Sequence, residues 1–128
     1  MSTRALIHFV WGNSKSPEAM IYRHSDGYPE GLGEDLKRFL DEVEKQTSDT
    51  RFNDPSYLAA KWVVFDAEAH CQNSRDFPGV YGIDSEHTGG NLCFLGVGVI
   101  CRDPGGIEYR YIVRCHANGR PTIEVQEG

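Results

Sequence analysis

Between Leu32 and Val43, apolar residues return at the spacing of a helix face. Leu32, Leu36, Phe39, Leu40 and Val43 share one stripe, and Glu34, Lys37, Arg38, Asp41, Glu42 and Lys45 fill the other side. Acidic residues crowd the first turn, where the positive end of the helix dipole favours them. A second helix is predicted to start at Asp54-Pro55, with Asp54 as N-cap and Pro55 in the first helical position. In "SYLAAKWVVFDAEAHC", Leu58, Trp62, Phe65 and Ala69 form its stripe. Val-Val-Phe favours extended structure, but the Asp-Pro start and the alanines favour the helix.

Strand patterns lie on either side of this helical middle. "ALIHFVW", residues 5–11, is a continuous β-branched and aromatic run suited to a strand covered on both faces. "GNSKSPE" is turn chemistry, and "AMIYRH", residues 19–24, returns as the second strand of a hairpin. "LCFLGVGVICR", residues 92–102, is apolar at both parities and predicts a central strand. Its Gly96 and Gly98 lie on one face and leave room for close approach. In "IEYRYIVRCH", Ile107, Tyr109, Tyr111, Val113 and Cys115 alternate with mostly polar neighbours, the mark of a strand with one buried face. Asn118-Gly119 is a hairpin signal, and "PTIEV" returns as a short edge strand.

The predicted order is β-β-α-α-(β)-β-β-β, the optional strand being "GVYGI" at 79–83. This implies an α+β fold, a mostly antiparallel sheet with two helices packed on one face. Residues 72–91, polar and glycine-rich, read as a long loop, which in a small domain is often functional.

A chain of 128 residues suffices for one domain with its own core. Its net charge of −6 and lack of a basic run argue against direct binding of nucleic acid or an anionic membrane surface. No apolar run is long enough for a membrane span, and no signal-peptide pattern precedes the first strand, so a cytoplasmic location is expected. Cys71, Cys93, Cys101 and Cys115 lack metal-ligand spacing and are expected as reduced, buried thiols. No cofactor or metal is expected.

Candidate chemistry concentrates in "YRHSDGYPEGLGEDLKRFL", residues 22–40, where a strand end turns into a helix. Gly31 and Gly33 do not make a phosphate loop: the spacing is wrong, and Glu30, Glu34 and Asp35 already occupy the helix start. His24 and Asp26 stand two apart and can face one way, as an acid–base pair or part of a metal site. In the structural alternative, Asp26 and Gly27 build the turn and His24 bonds a nearby carbonyl. Tyr28 beside Pro29 suits recognition, with Asp26 and Glu30 as acidic neighbours, or else packs against the helix start. Asp84, Ser85, Glu86 and His87 in the long loop are the residues that an active site at His24 would recruit.

The motif resembles one in small uncharacterised proteins of bacteria and their phages: Tyr-Arg-His, one variable residue, Asp-Gly-Tyr-Pro, then Gly before a Leu/Phe-rich helix. The residues concerned are Tyr22, Arg23, His24, Asp26, Gly27, Tyr28, Pro29, Gly31, Leu36, Phe39 and Leu40, with "YLAAKWV" and "GIEYRYIV" similar in character. The resemblance carries no activity. By analogy of lifestyle, it implies a protein that binds a host protein, one whose surface is basic because it handles nucleic acid. The leading expectation is a non-enzymatic inhibitor of a host or defence factor, an anti-CRISPR-like role, binding through Asp26, Tyr28, Pro29 and Glu30. The alternative is a small hydrolase or metal-dependent enzyme using His24, Asp26, Glu86 and His87. A third reading, a small ligand such as a nucleotide, rests on the long loop and the glycine face alone.

Overall fold

The computed structural model describes residues 3–45, 53–76, 96–117 and 119–128, with backbone alone at 70–76. The apolar run Ala5–Trp11 forms β1, and Ala19–Arg23 returns beside it as antiparallel β2. A short π-helical turn, Pro29–Gly33, leads into helix α1, Glu34–Lys45, and helix α2 spans Pro55–Asp76. β3 (Val97–Ile100), β4 (Tyr109–Cys115) and β5 (Thr122–Glu127) complete a sheet ordered β3-β2-β1-β4-β5.

The α+β expectation holds, and the sheet is mixed. β1 pairs with β4 in parallel, while the other three pairings are antiparallel. The unpredicted π-helical turn ahead of α1 also alters the element order. Residues 79–83, the optional strand, lie outside the described residues.

Both helices pack on one face of the sheet. Ala5, Ile7 and Phe9 of β1, with Tyr111, Val113 and Cys115 of β4, meet Leu36, Phe39 and Leu40 of α1 and Leu58 and Trp62 of α2. The predicted stripe of α1 is buried throughout. Asp54 caps α2, its carboxylate accepting from the amides of Ser56 at 3.1 Å and Tyr57 at 3.4 Å. The helical reading of Val63, Val64 and Phe65 is therefore the correct one. An edge-on contact between Phe39 and Trp62, centroids 5.4 Å apart, joins the two helices.

Burial of β1 on both faces has a topological origin. β3 and β4 run parallel with β2 and β1 between them, so residues 101–108 must cross the sheet. Asp103 of this crossing binds Arg110 at 2.6 Å, and the register puts Arg110 with Leu6 and His8 on the face away from the helices. The crossing therefore passes over that face, where Leu6 and Met20 are buried.

Three expectations are corrected. The apolar run at 92–102 supplies β3, which is an edge strand and not a central one; Val99 is 76% exposed and a side chain at Gly98 would meet open space. Residues 72–76 belong to α2 and not to a loop. Cys101 is an exposed free thiol, whereas Cys115 is buried as expected, its pKa pushed up to about 11 first by burial and then by Asp54. No helix among the described residues is long and apolar enough to cross a membrane.

Candidate functional site

The stretch from β2 to α1 is demanding to build. Asp26 adopts φ 55°, a left-handed conformation that costs most L-residues and that Asp tolerates better than most. Gly27 follows because a Cβ there would lie 2.7 Å from the Ala5 Cβ and 2.8 Å from the Thr3 carbonyl oxygen. Its amide donates to that same Thr3 oxygen at 3.0 Å, and its own carbonyl accepts from the Tyr111 hydroxyl at 2.6 Å. A Cβ on Gly31 would sit 2.6 Å from the Asp26 carbonyl oxygen. Leu32 closes the loop by donating its amide to that oxygen at 2.9 Å.

Arg23 ties this turn to both helices. Its Nε donates to the Ser25 carbonyl at 3.1 Å, and its guanidinium lies 3.1 Å from the Asp35 carboxylate and 3.7 Å from that of Asp66. Asp66 is only 3% exposed, the one buried charged residue among the described ones. Asp35 also binds Arg38 at 2.7 Å. Sequence reasoning missed this cluster. Its only trace is an Asp that directly follows the apolar run at 62–65 of the second helix, since Arg23 and Asp66 are brought together by tertiary packing.

His24 and Asp26 are bonded to different partners in the structure. His24 accepts or donates through Nδ1 to the Tyr22 hydroxyl at 2.9 Å, and no ion pair within 4.0 Å joins it to Asp26. Asp26 instead accepts a long bond, 3.5 Å, from the Tyr28 hydroxyl. Glu86 and His87, with Asp84 and Ser85, lie outside the described residues. Among the described residues no three His, Cys, Asp or Glu side chains cluster as metal ligands would.

Asp26, Tyr28, Pro29 and Glu30 occupy one continuous turn. Tyr28 is 38% exposed, with its ring edge 3.3 Å from where a Gly31 Cβ would stand, so it both packs and presents a face. Beside the turn runs a groove of about 290 Å³ between the start of α1 and β5, lined by Pro29, Glu30, Gly33, Tyr111, Ile123 and Val125. The groove floor holds the Tyr111 hydroxyl, whose pKa is pushed up to about 12, first by burial and then by Tyr109 and Glu30. Neither Asp26 nor Glu30 has a cation partner among the described residues.

A second concavity, about 710 Å³, lies on the face away from the helices and includes His8, Val10, Ile112, Arg114 and His116. Arg114 is committed there, to Glu124 at 3.1 Å and to the Gly12 carbonyl at 2.6 Å. His8 Nε2 is buried without a hydrogen-bond partner among the described residues. Burial holds the His8 pKa below its ordinary value, with Asp103 pulling it up and Arg110 pushing it down.

Comparison with protein-family models, with curated proteins and with solved structures finds no match to this chain.

Proposed function

We propose that the protein acts by binding another protein, with residues 26–30 at the centre of the contact. Tyr28 carries this reading: 38% exposed, on a backbone held by Thr3, Tyr111 and Leu32. A pinned aromatic contributes contact area at little cost in side-chain entropy. Asp26 and Glu30 flank it without cation partners among the described residues, on a chain of net charge −6. A partner with a basic surface would be steered to this turn, and complementarity of this kind speeds encounter. The motif's resemblance to phage and bacterial proteins extends the proposal to an inhibitor of a host or defence factor.

The test is capture of partners from a bacterial lysate with wild type, Tyr28→Ala and Glu30→Lys, the bound proteins being identified by mass spectrometry. A partner retained by wild type, lost with either variant and released as salt rises supports the proposal. Identical partner lists for all three proteins would remove the turn from the interface.

A further inference from the structure

β5 ends the sheet, and its outer edge carries no strand among the described residues. The Gly128 amide donates to the Glu108 carbonyl at 2.8 Å, and β5 continues in register with Arg110 opposite Gln126 and Ile112 opposite Glu124. Hydrogen-bonding direction alternates along such a ladder. The even-numbered residues of β5 therefore turn inward to β4, and Ile123, Val125 and Glu127 direct their N–H and C=O groups outward.

The side chains of those same residues face the helix side. Ile123 packs against the core, and Val125, 47% exposed, forms the wall of the groove opposite Pro29 and Gly33. Of the charged residues that line the groove, Glu30 lacks a cation partner among the described residues, and Glu34 pairs at 3.4 Å with Lys37, which lines it too; Glu127, two positions along β5 from Val125, also lacks a cation partner among the described residues. Free backbone groups, an apolar slot and an acidic rim thus lie side by side. β3 also borders the sheet among the described residues, but a side chain at its Gly98 would meet open space, so no slot adjoins it there.

Resting on the reading of the neighbouring turn as a protein-binding surface, we infer that the partner contributes an extended cationic segment that adds to the edge of β5. One apolar side chain enters the slot beside Val125 and above Tyr111, and Lys or Arg two positions to either side meets Glu30 and Glu127. Backbone hydrogen bonds supply the attraction and the slot supplies selectivity, as in strand addition generally. A second copy of the chain is the poorer occupant, since it would bring its own Glu30, Glu34 and Glu127 against the same carboxylates at a net charge of −6 per chain.

The probe is a blocked peptide, Thr-Lys-Thr-Val-Thr-Lys-Thr, compared with its counterpart carrying Glu for Lys. Binding is read by fluorescence anisotropy and by slowed amide exchange at Val125 and Glu127. The lysine peptide is expected to bind at least about tenfold more tightly at low salt. Val125→Pro removes an outward amide that the β4 ladder does not use, and is expected to weaken binding about tenfold with the sheet intact. Should that variant unfold, Val125→Lys places a cation in the slot and is expected to have the same effect. Equal binding of the two peptides, or unchanged binding by both Val125→Lys and a folded Val125→Pro, overturns strand addition. If Tyr28→Ala weakens the peptide while the β5 variants do not, the turn remains a binding surface and the β5 site is lost. If the β5 variants weaken it and Tyr28→Ala does not, strand addition stands and the turn loses its role. A dimer in sedimentation that Val125→Lys dissolves would make a second copy the occupant, and would also overturn the proposal.

Discussion

The Tyr111 hydroxyl, near the middle of β4, donates a 2.6 Å hydrogen bond to the carbonyl of Gly27, a residue 84 positions earlier in the chain. This bond fastens the turn that displays Tyr28 to the sheet through β4. Tyr111→Phe keeps the ring and removes the bond, leaving a buried carbonyl without this donor. The expected loss is about 1–3 kcal/mol in urea unfolding, with faster amide exchange at Gly27 and Tyr28. Unchanged stability and exchange would show that the bond does not hold the turn.

The same phenol gives a pH dependence with a definite sign. Burial raises its pKa from 10 to about 12, so the fold favours the protonated form. The unfolded chain loses that proton first, and stability present below 10 is lost as pH rises through about 12. Cys115, raised from 9 to about 11, acts in the same direction. Wild type is expected to lose more stability than Tyr111→Phe between about pH 9 and about pH 11. Parallel curves for the two proteins would contradict this.

At Gly27 and Gly31 the backbone leaves no room for a methyl group, since a Cβ would stand 2.7 Å from an atom of Ala5 at the first and 2.6 Å from one of Asp26 at the second. Either Gly→Ala change is expected to cost about 1–3 kcal/mol through forced backbone shifts. Asp26→Asn, which tolerates the same left-handed backbone, is expected to change stability by less than about 0.5 kcal/mol. It removes a negative charge from the turn, and should weaken binding of a basic partner without loosening the fold. A large stability loss in Asp26→Asn would mean that the carboxylate itself is structural.

Arg23 pairs with a carboxylate held out of water, Asp66 being 3% exposed. Arg23→Gln removes the guanidinium that joins Ser25, Asp35 and Asp66, and is expected to cost about 1–3 kcal/mol. Arg23→Lys is expected to recover little of this, because one ammonium cannot replace a guanidinium that reaches Ser25, Asp35 and Asp66 together. Thermal and urea midpoints of the two variants check both expectations, and full rescue by lysine would refute the second.

His8 contributes to acid sensitivity. Burial lowers its pKa from 6.5, so the fold favours the neutral imidazole and the unfolded chain takes up the proton first. Stability is whole above 6.5 and is lost as pH falls through that value toward the lower one of the folded state. The urea midpoint of wild type is expected to drop more than that of His8→Gln between about pH 7.5 and about pH 5.5. Equal drops would place the acid sensitivity elsewhere.

Several elements are legible in the chain alone because their signals are local. The stripe from Leu32 to Val43 and the Asp54-Pro55 start depend on neighbours three or four residues away, and a helix forms from just such contacts. Alternation in β4 likewise exposes its buried face. In the turn, the glycines and Asp26 mark a backbone with special demands, and Tyr28 with Pro29 marks its exposed tip.

Long-range partnership is not legible, because pairing a strand depends on residues tens of positions away and on the closure of the chain between them. An apolar run such as VGVI reads the same in the middle of a sheet as at its border, and packing puts β3 at the border. The parallel match of β1 with β4, the Arg23–Asp66 contact and the groove between Pro29 and Val125 each join distant segments. No spacing along the chain encodes their meeting. It arises when the sheet order brings those side chains within a few ångströms of one another.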